Sequence, residues 1–288
     1  MLSGYGRLVA RLNSAPRVGP LLRDWRRRRR RSQLELALET GISARHLSFV
    51  ETGRSTPSRD VVLRLSEQLE VPFRERNHLL LAAGHAPAFP QRSLDEPDMA
   101  PVREALDLIL TGHEPYPAVV VDRDWNVVAG NSPMAAVAEW VDPALLEPPV
   151  NAMRVGLHPR GLAQWIINLA HVRAYFVGRL ERQVAITGDE GLAALLAEVS
   201  AYPAPEPDEP IWERPQADIL TPLIRLRTPD DGELGFFATV ATFGTAVEIT
   251  TSELSIELAF PADTTTAESL KALARSPRDV PGDPRLQN

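Results

Sequence analysis

The chain has 288 residues, 44% of them hydrophobic, a net charge of −7 and no cysteine. Its length suits about two domains of ~100–200 residues, and the missing thiols exclude disulfides, thiol redox sensing and Cys-ligated metal centres. No apolar run approaches the ~18–20 residues of a membrane span, and the opening MLSGYGRLVARLNSAPRV lacks the apolar centre of a secretory signal. These features predict a cytoplasmic protein that does not engage a membrane, with residues 1–17 as an N-terminal extension.

Charge divides the chain. Residues 1–85 hold 16 Arg against 8 Asp plus Glu, a net +8, whereas residues 86–288 carry a net −15. A basic half beside an acidic one suggests that the basic half meets nucleic acid or an anionic surface. The stretch HAPAFPQRSLDEPDMAP (His85–Pro101) carries four prolines and the change of sign. It is expected to contain a linker over 85–100, separating a domain at 18–84 from one at 101–275. Residues 276–288 are polar and Pro-rich and are expected to be a disordered tail.

Five short helices are expected in the basic half. The first runs from about Pro20 to Arg30, with Leu21, Leu22 and Trp25 on one side. Ser32 followed by Glu35 is a capping box, so a second helix spans about Gln33 to Glu39 and ends at Gly41. Ser43 caps a third helix, Ala44 to Glu51. Ser58 caps a fourth, with Val62, Leu65 and Leu69 at helical spacing. Pro72 suits the first position of a fifth, which ends near Gly84. The second and third helices about Gly41 form a helix-turn-helix. On the third, Ile42, Leu47 and Val50 should face inward. Ala44, Arg45, Ser48 and Phe49 should face outward, with His46 at the margin. A small Ala44 allows close approach to a major groove, Arg45 can bond guanine O6 and N7 together, and Phe49 can pack on a thymine methyl. The run of six arginines, Arg26–Arg31, contributes general attraction to phosphates, because a helix points them in all directions.

The acidic half reads as α+β. PAVVVDRDWNVVAGN (Pro117–Asn131) has the pattern of a β-hairpin, and Asn131 caps a helix to about Trp140. Leu162, Trp165, Ile166, Leu169, Val172, Phe176 and Leu180 predict a long amphipathic helix from Pro159 to Arg182. DEGLAALLAEVS is a further helix. The strands LIRLR, ELGFFATVATF, AVEIT and SIELAF follow, so an antiparallel sheet with helices on one face is expected. YPAPEPDEPIWERP (Tyr202–Pro215) reads as a loop. Between the long helix and the strand bearing Phe236 and Phe237 two readings stand, an apolar cavity or a filled core. Trp125, Trp165 and Phe237 are candidate apolar contacts for a ligand there, and Asn131, His158 and Asn168 candidate orienting groups, with Arg173 beside them.

The residues give little support for catalysis. His113, His158 and His171 lack metal-ligand spacing, and no Gly-rich phosphate loop, nucleophile elbow or HExxH motif occurs. The expectation is a non-enzyme with no catalytic residue, metal or cofactor.

SQLELALETGISARHLSFVETGRSTPS resembles the helix-turn-helix of the XRE group, the lambda-repressor-like DNA-binding domains. Ser32-Gln33, Leu36-Ala37, Gly41, Leu47, Glu51, Gly53 and Pro57-Ser58 carry that likeness. It implies a buried pair between Arg26 and Glu51, and phosphate contacts from Gln33 and from the loop around Arg54 and Ser58. Arg31 departs from the pattern, where the family usually has an apolar residue. The longer string Arg45–Phe89, with EPYPAVVVDRDWNVVAGN, HPRGLAQWI and FFATVATFGTAVEITTSELSIELAFPAD, resembles the MmyB-like transcription regulators over roughly 18–275. That likeness implies a PAS-like ligand-binding domain, and fatty-acyl binding is one reading of its ligand.

The expected function is sequence-specific regulation of transcription by an all-α head and a small-molecule-sensing, dimerising body. The partners are a double-stranded DNA operator, a small apolar ligand and a second copy of the chain, since one head makes few base contacts. The alternative is an antitoxin-type module whose head holds a protein partner. The net +8 of residues 1–85 favours DNA.

Overall fold

The computed structural model describes residues 18–203, 205 and 223–275. The expected N-terminal extension, most of the Tyr202–Pro215 loop and the expected tail lie outside the described residues. The chain divides into two units. Residues up to 93, together with 244–252, form the first, and the remainder forms the second.

The first unit begins with α1 (Val18–Arg28), α2 (Gln33–Thr40), α3 (Ala44–Glu51), α4 (Arg59–Gln68) and α5 (Phe73–Ala82). Local chemistry sets the ends. Ser32 Oγ accepts from the Glu35 N–H, and the Glu35 carboxylate accepts from the Ser32 N–H, closing the capping box. Gly41 ends α2 with φ of 69°, a left-handed conformation that costs glycine little. The Ser43 and Ser58 side chains cap α3 and α4. One stripe of each helix is buried, including Leu22, Trp25, Leu36, Leu47, Val50 and Leu65. Each such side chain stabilises the fold by roughly 1.5–3 kcal/mol relative to exposure. At Gly19, α1 passes so close to α3 that a Cβ would lie 2.3 Å from the Val50 carbonyl oxygen. The arginine run is partly spent on structure: Arg29 donates to the Leu69 and Glu70 carbonyls beyond α4, and exposed Arg31 pairs with Glu39.

The chain after α5 stays on this unit. The Asn77 amide donates to the Phe89 carbonyl and accepts from the Ala88 and Phe89 N–H groups. Phe89 stacks on Phe73 at 4.3 Å. Residues 244–252 join there: the Ile249 N–H donates to the Pro90 carbonyl and the Thr250 hydroxyl to that of Arg92. They include the start of α11 (Ile249–Glu253), where the sequence pattern predicted the strand AVEIT. Buried Glu248 decides the outcome. Its carboxylate accepts from the Thr250 N–H and from the Thr251 N–H and hydroxyl, which is a helix cap, and this outweighs the β-branched run.

The second unit is α+β. Strands β1 (Ala118–Val121), β2 (Val127–Gly130), β3 (Leu223–Arg227), β4 (Glu233–Thr242) and β5 (Ser255–Pro261) form an antiparallel sheet in the order β2-β1-β5-β4-β3. The helices are α6 (Ala100–His113), α7 (Ser132–Ala138), α8 (Ala152–Leu157), α9 (Leu169–Thr187), α10 (Glu190–Ser200) and α12 (Thr264–Arg275). They cover both faces of the sheet rather than one. Ala118 and Val120 pack with Leu106 and Leu110 of α6, while Val119 and Val121 pack with Leu180 of α9 and Leu192 and Val199 of α10. All four β1 residues are therefore buried, as a strand covered on both sides requires.

The helix expected from Pro159 to Arg182 is also broken. Helical structure proper starts at Leu169, after a short 3₁₀ turn at Leu162–Gln164. Between them the chain lies along β3: the Ile167 N–H donates to the Arg225 carbonyl, and the Arg227 N–H to the Trp165 carbonyl. Edge pairing captures backbone groups that a helix would have used. No helix among the described residues is long and apolar enough to cross a membrane.

Candidate nucleic-acid interface and ligand cavity

In the head, the end of α3 is anchored by a network around Glu51. Arg26 Nε and Nη2 donate to its two carboxylate oxygens at 2.6 and 2.9 Å, and Gln33 Nε2 donates at 2.7 Å. The Glu51 side chain is 2% exposed and that of Arg26 11%. Burial pushes the Glu51 carboxyl up, but the hydrogen bonds from Arg26 and Gln33 and the charges of Arg26 and Arg23 outweigh it and hold it below its ordinary range. The Arg26 guanidinium is raised by the same bond from Glu51. The pair implied by resemblance is thus present, and Gln33, read as a phosphate contact, is here a third member of it.

With that end fixed, α3 presents Arg45 to solvent. The guanidinium lies over the Phe49 ring, 5.4 Å from its centroid. This i,i+4 stack gives half-buried Phe49 a cover. Ser48 is half-buried between them in sequence. Ala44 is half-buried against the core, so it faces less outward than its spacing predicted. Ser43 Oγ accepts from the His46 N–H, and Ser58 Oγ from that of Val61. Arg54 is exposed in the loop after α3, whose path is set by two N–H groups, of Arg54 and Ser55, donating to the Phe49 carbonyl.

The body contains a cavity of about 400 Å³ between the sheet and helices α7, α8 and α9. That is within the ~300–1,000 Å³ of small-molecule sites. Its floor includes Val119, Phe236 and Ala238, and its walls Met134, Met153, Val172 and Phe176. Of the six candidate ligand residues, Trp125 and Asn131 line it. Trp125 adopts a left-handed φ of 66°, unusual for a bulky residue. It is held there by its indole N–H, which donates to Gln183 at 2.8 Å, and by contact with Phe176 and Arg179. The Asn131 side chain accepts from the Ala118 and Met134 N–H groups and donates to the Leu110 and Tyr116 carbonyls.

The other four candidates lie outside the cavity lining. Phe237 follows Phe236 by one residue, so it faces the opposite side of the sheet, where it stacks on Phe260 at 5.4 Å. Trp165 donates its indole N–H to the Trp140 carbonyl. Asn168 bridges to β3, donating to the Leu223 carbonyl and accepting from the Arg225 N–H. His158 packs edge-on against Tyr202, whose hydroxyl donates to Glu198, itself held by Arg154. Burial first, then the Glu198 acceptor, push the Tyr202 hydroxyl up to about 12, so it stays protonated as a donor. Arg173 donates to the Ser200 carbonyl. Glu257 is a lining residue that the sequence reading missed. The available signal was a lone charge inside the apolar strand SIELAF. No cluster of metal-ligating side chains occurs among the described residues.

The described residues thus form a capped helix-turn-helix with an exposed arginine on its second helix and an α+β unit that contains an apolar cavity, the two-part layout of a helix-turn-helix protein with a ligand-binding domain. The family model of the MmyB-like transcription regulator ligand binding domain matches residues 102–273, and a helix-turn-helix model matches residues 22–76. The chain belongs to the MmyB-like transcription regulators, and it is a regulator rather than an enzyme. A relative described as an uncharacterized HTH-type transcriptional regulator, RghRB of Bacillus subtilis (strain 168), is 34% identical over 103 residues. That match spans 35% of this chain and 66% of the relative, just under two thirds of its length. Among solved structures, the PAS domain of an HTR-like protein from Haloarcula marismortui is 11% identical with a TM-score of 0.24, over 56% of this chain and 97% of that one. An RNA-binding light-oxygen-voltage receptor is 13% identical with a TM-score of 0.26, over 95% and 68%. Similarity at that level carries no weight for fold or function.

Proposed function

We propose that this chain binds a double-stranded DNA operator as a homodimer, and that an apolar small molecule in the body's cavity alters that binding. The observation that carries the DNA half is exposed Arg45, stacked on half-buried Phe49, on a helix whose far end is held by Glu51. A rigid helix with a forked donor at its solvent face suits bidentate recognition of guanine in the major groove. Exposed Arg54 and the N-terminus of α4 at Ser58 would meet the flanking phosphates. Gln33 joins them if its amide exchanges Glu51 for a phosphate. Two heads are needed because specific operators are read as paired half-sites.

The ligand half rests on a cavity with a nearly all-apolar lining. Strands β4 and β5, which contribute to that lining, are joined by the segment 244–252 held at Pro90 and Arg92.

The test is selection of duplexes from a randomised pool by the full chain, followed by a salt titration on the selected and a scrambled site. The reading expects a two-fold symmetric consensus and affinity that falls with salt on both sites. Absence of enrichment and of any salt-dependent DNA binding would favour the antitoxin-type alternative, a head that holds a protein partner.

A further inference from the structure

Three polar side chains line the cavity among the described residues: Trp125, Asn131 and Glu257. Each already has a partner in the protein. The Trp125 indole N–H is given to Gln183. Asn131 accepts twice and donates twice, which uses its amide completely. Glu257 is bound by the two ends of one guanidinium: Arg179 Nη2 reaches Oε1 at 2.7 Å and Nη1 reaches Oε2 at 3.0 Å.

The position of Glu257 is informative. It lies on β5, an interior strand of the sheet, opposite Val119, whose side chain faces the cavity. Arg179 reaches it from α9 and also lies over the Trp125 ring at 4.6 Å. The side chains of Glu257 and Arg179 are 15% and 20% exposed. Their charges cancel at the wall, so among the described residues the cavity lining presents neither a free cation nor a free donor. A ligand carboxylate would enter without a partner, beside the carboxylate of Glu257. Burying an unpaired charge is far costlier than burying hydrocarbon, and like charges at close range add to that cost.

We infer that the cavity selects an uncharged apolar ligand and excludes its carboxylate counterpart, with the Arg179–Glu257 pair as the specificity determinant. This deepens the ligand-sensing role proposed above and rests on it. The volume of about 400 Å³ corresponds to roughly a dozen groups of ~30 Å³, the liquid volume of one water. A ten-carbon chain with one terminal oxygen is therefore a suitable probe.

The test compares 1-decanol with decanoate on the full-length protein at pH 8, where the carboxylic acid is ionised, by titration calorimetry and by thermal shift. For the wild type, decanol is expected to bind roughly tenfold or more tightly than decanoate. Glu257→Gln removes the competing charge and leaves Arg179 on the Trp125 ring as a cation available to the ligand. That variant is expected to bind decanoate at least as well as decanol. Equal or tighter binding of decanoate by the wild type overturns the inference, and this comparison does not depend on the variant folding. A folded Glu257→Gln protein that still rejects decanoate overturns the assignment of selectivity to the pair. If neither probe binds the wild type, the ligand-sensing role fails and the selectivity falls with it, an outcome distinct from a reversed preference.

Discussion

Replacing Glu51 by Gln removes one charge from the network that fixes α1 and α2 to the end of α3. The side chains involved are nearly fully buried, at 2% for Glu51 and 11% for Arg26. Removing one partner of a buried pair costs ~3–5 kcal/mol, because the other charge is left uncompensated. Arg26 Nη1 keeps an acceptor in the Arg31 carbonyl at 2.8 Å, and Gln retains one acceptor oxygen, so the lower end of that range, about 3 kcal/mol, is expected. At ~1.4 kcal/mol per factor of ten, amide exchange that proceeds by opening of the head should accelerate by roughly 100-fold. Hydrogen-exchange mass spectrometry of the full chain reads this locally in peptides covering α3, while peptides from α9 should stay unchanged. The pH dependence has a definite sign. The folded Glu51 carboxyl titrates below its ordinary range, so its stabilisation is complete above the unfolded value of ~4.3. It is lost as pH falls through the lower folded value. Glu51→Gln should flatten that acid limb. Acceleration of less than about threefold, or an unchanged acid limb, would refute the reasoning.

Arg45→Ala should cost ~1–3 kcal/mol on the selected site and relax preference at one base position; if affinity falls equally on every sequence, Arg45 touches only phosphate. Arg54→Gln should weaken selected and scrambled DNA alike and reduce the salt slope by about one, which a salt titration checks directly. Ala238→Leu adds three carbons to a residue lining the cavity, and should abolish the stabilisation by 1-decanol while leaving the protein folded. At a hundredfold excess over Kd that stabilisation is ~2.7 kcal/mol in the wild type. Severe unfolding by Ala238→Leu would mean that the space is already filled.

The head was readable from the sequence because its signals are local. Ser32 with Glu35, Gly41, Ser43 and Ser58 each fix a helix end within a few residues, and the inward positions Leu36, Leu47 and Val50 follow helical spacing. The body was readable only in part. The apolar spacing through Leu162, Trp165, Ile166 and Leu169 is that of a helix, yet residues 165–168 bond to β3, about sixty residues later in the chain. AVEIT has strand composition, and a buried Glu248 cap turns it into a helix start. Period-two alternation separates Phe236 from Phe237 only once it is known which of them faces α9. Glu257 acquires meaning from Arg179, 78 positions away, a distance over which no local pattern reports.

If operator binding by the head and occupation of the body's cavity are coupled, as proposed, the coupling is reciprocal. The direct measurement is operator affinity of the full chain, by fluorescence anisotropy at fixed salt, with and without saturating 1-decanol, paired with decanol affinity with and without operator. The account predicts a change of roughly fivefold or more in operator affinity, matched by the same factor in decanol affinity. Operator affinity that stays constant while calorimetry shows the cavity occupied would contradict it.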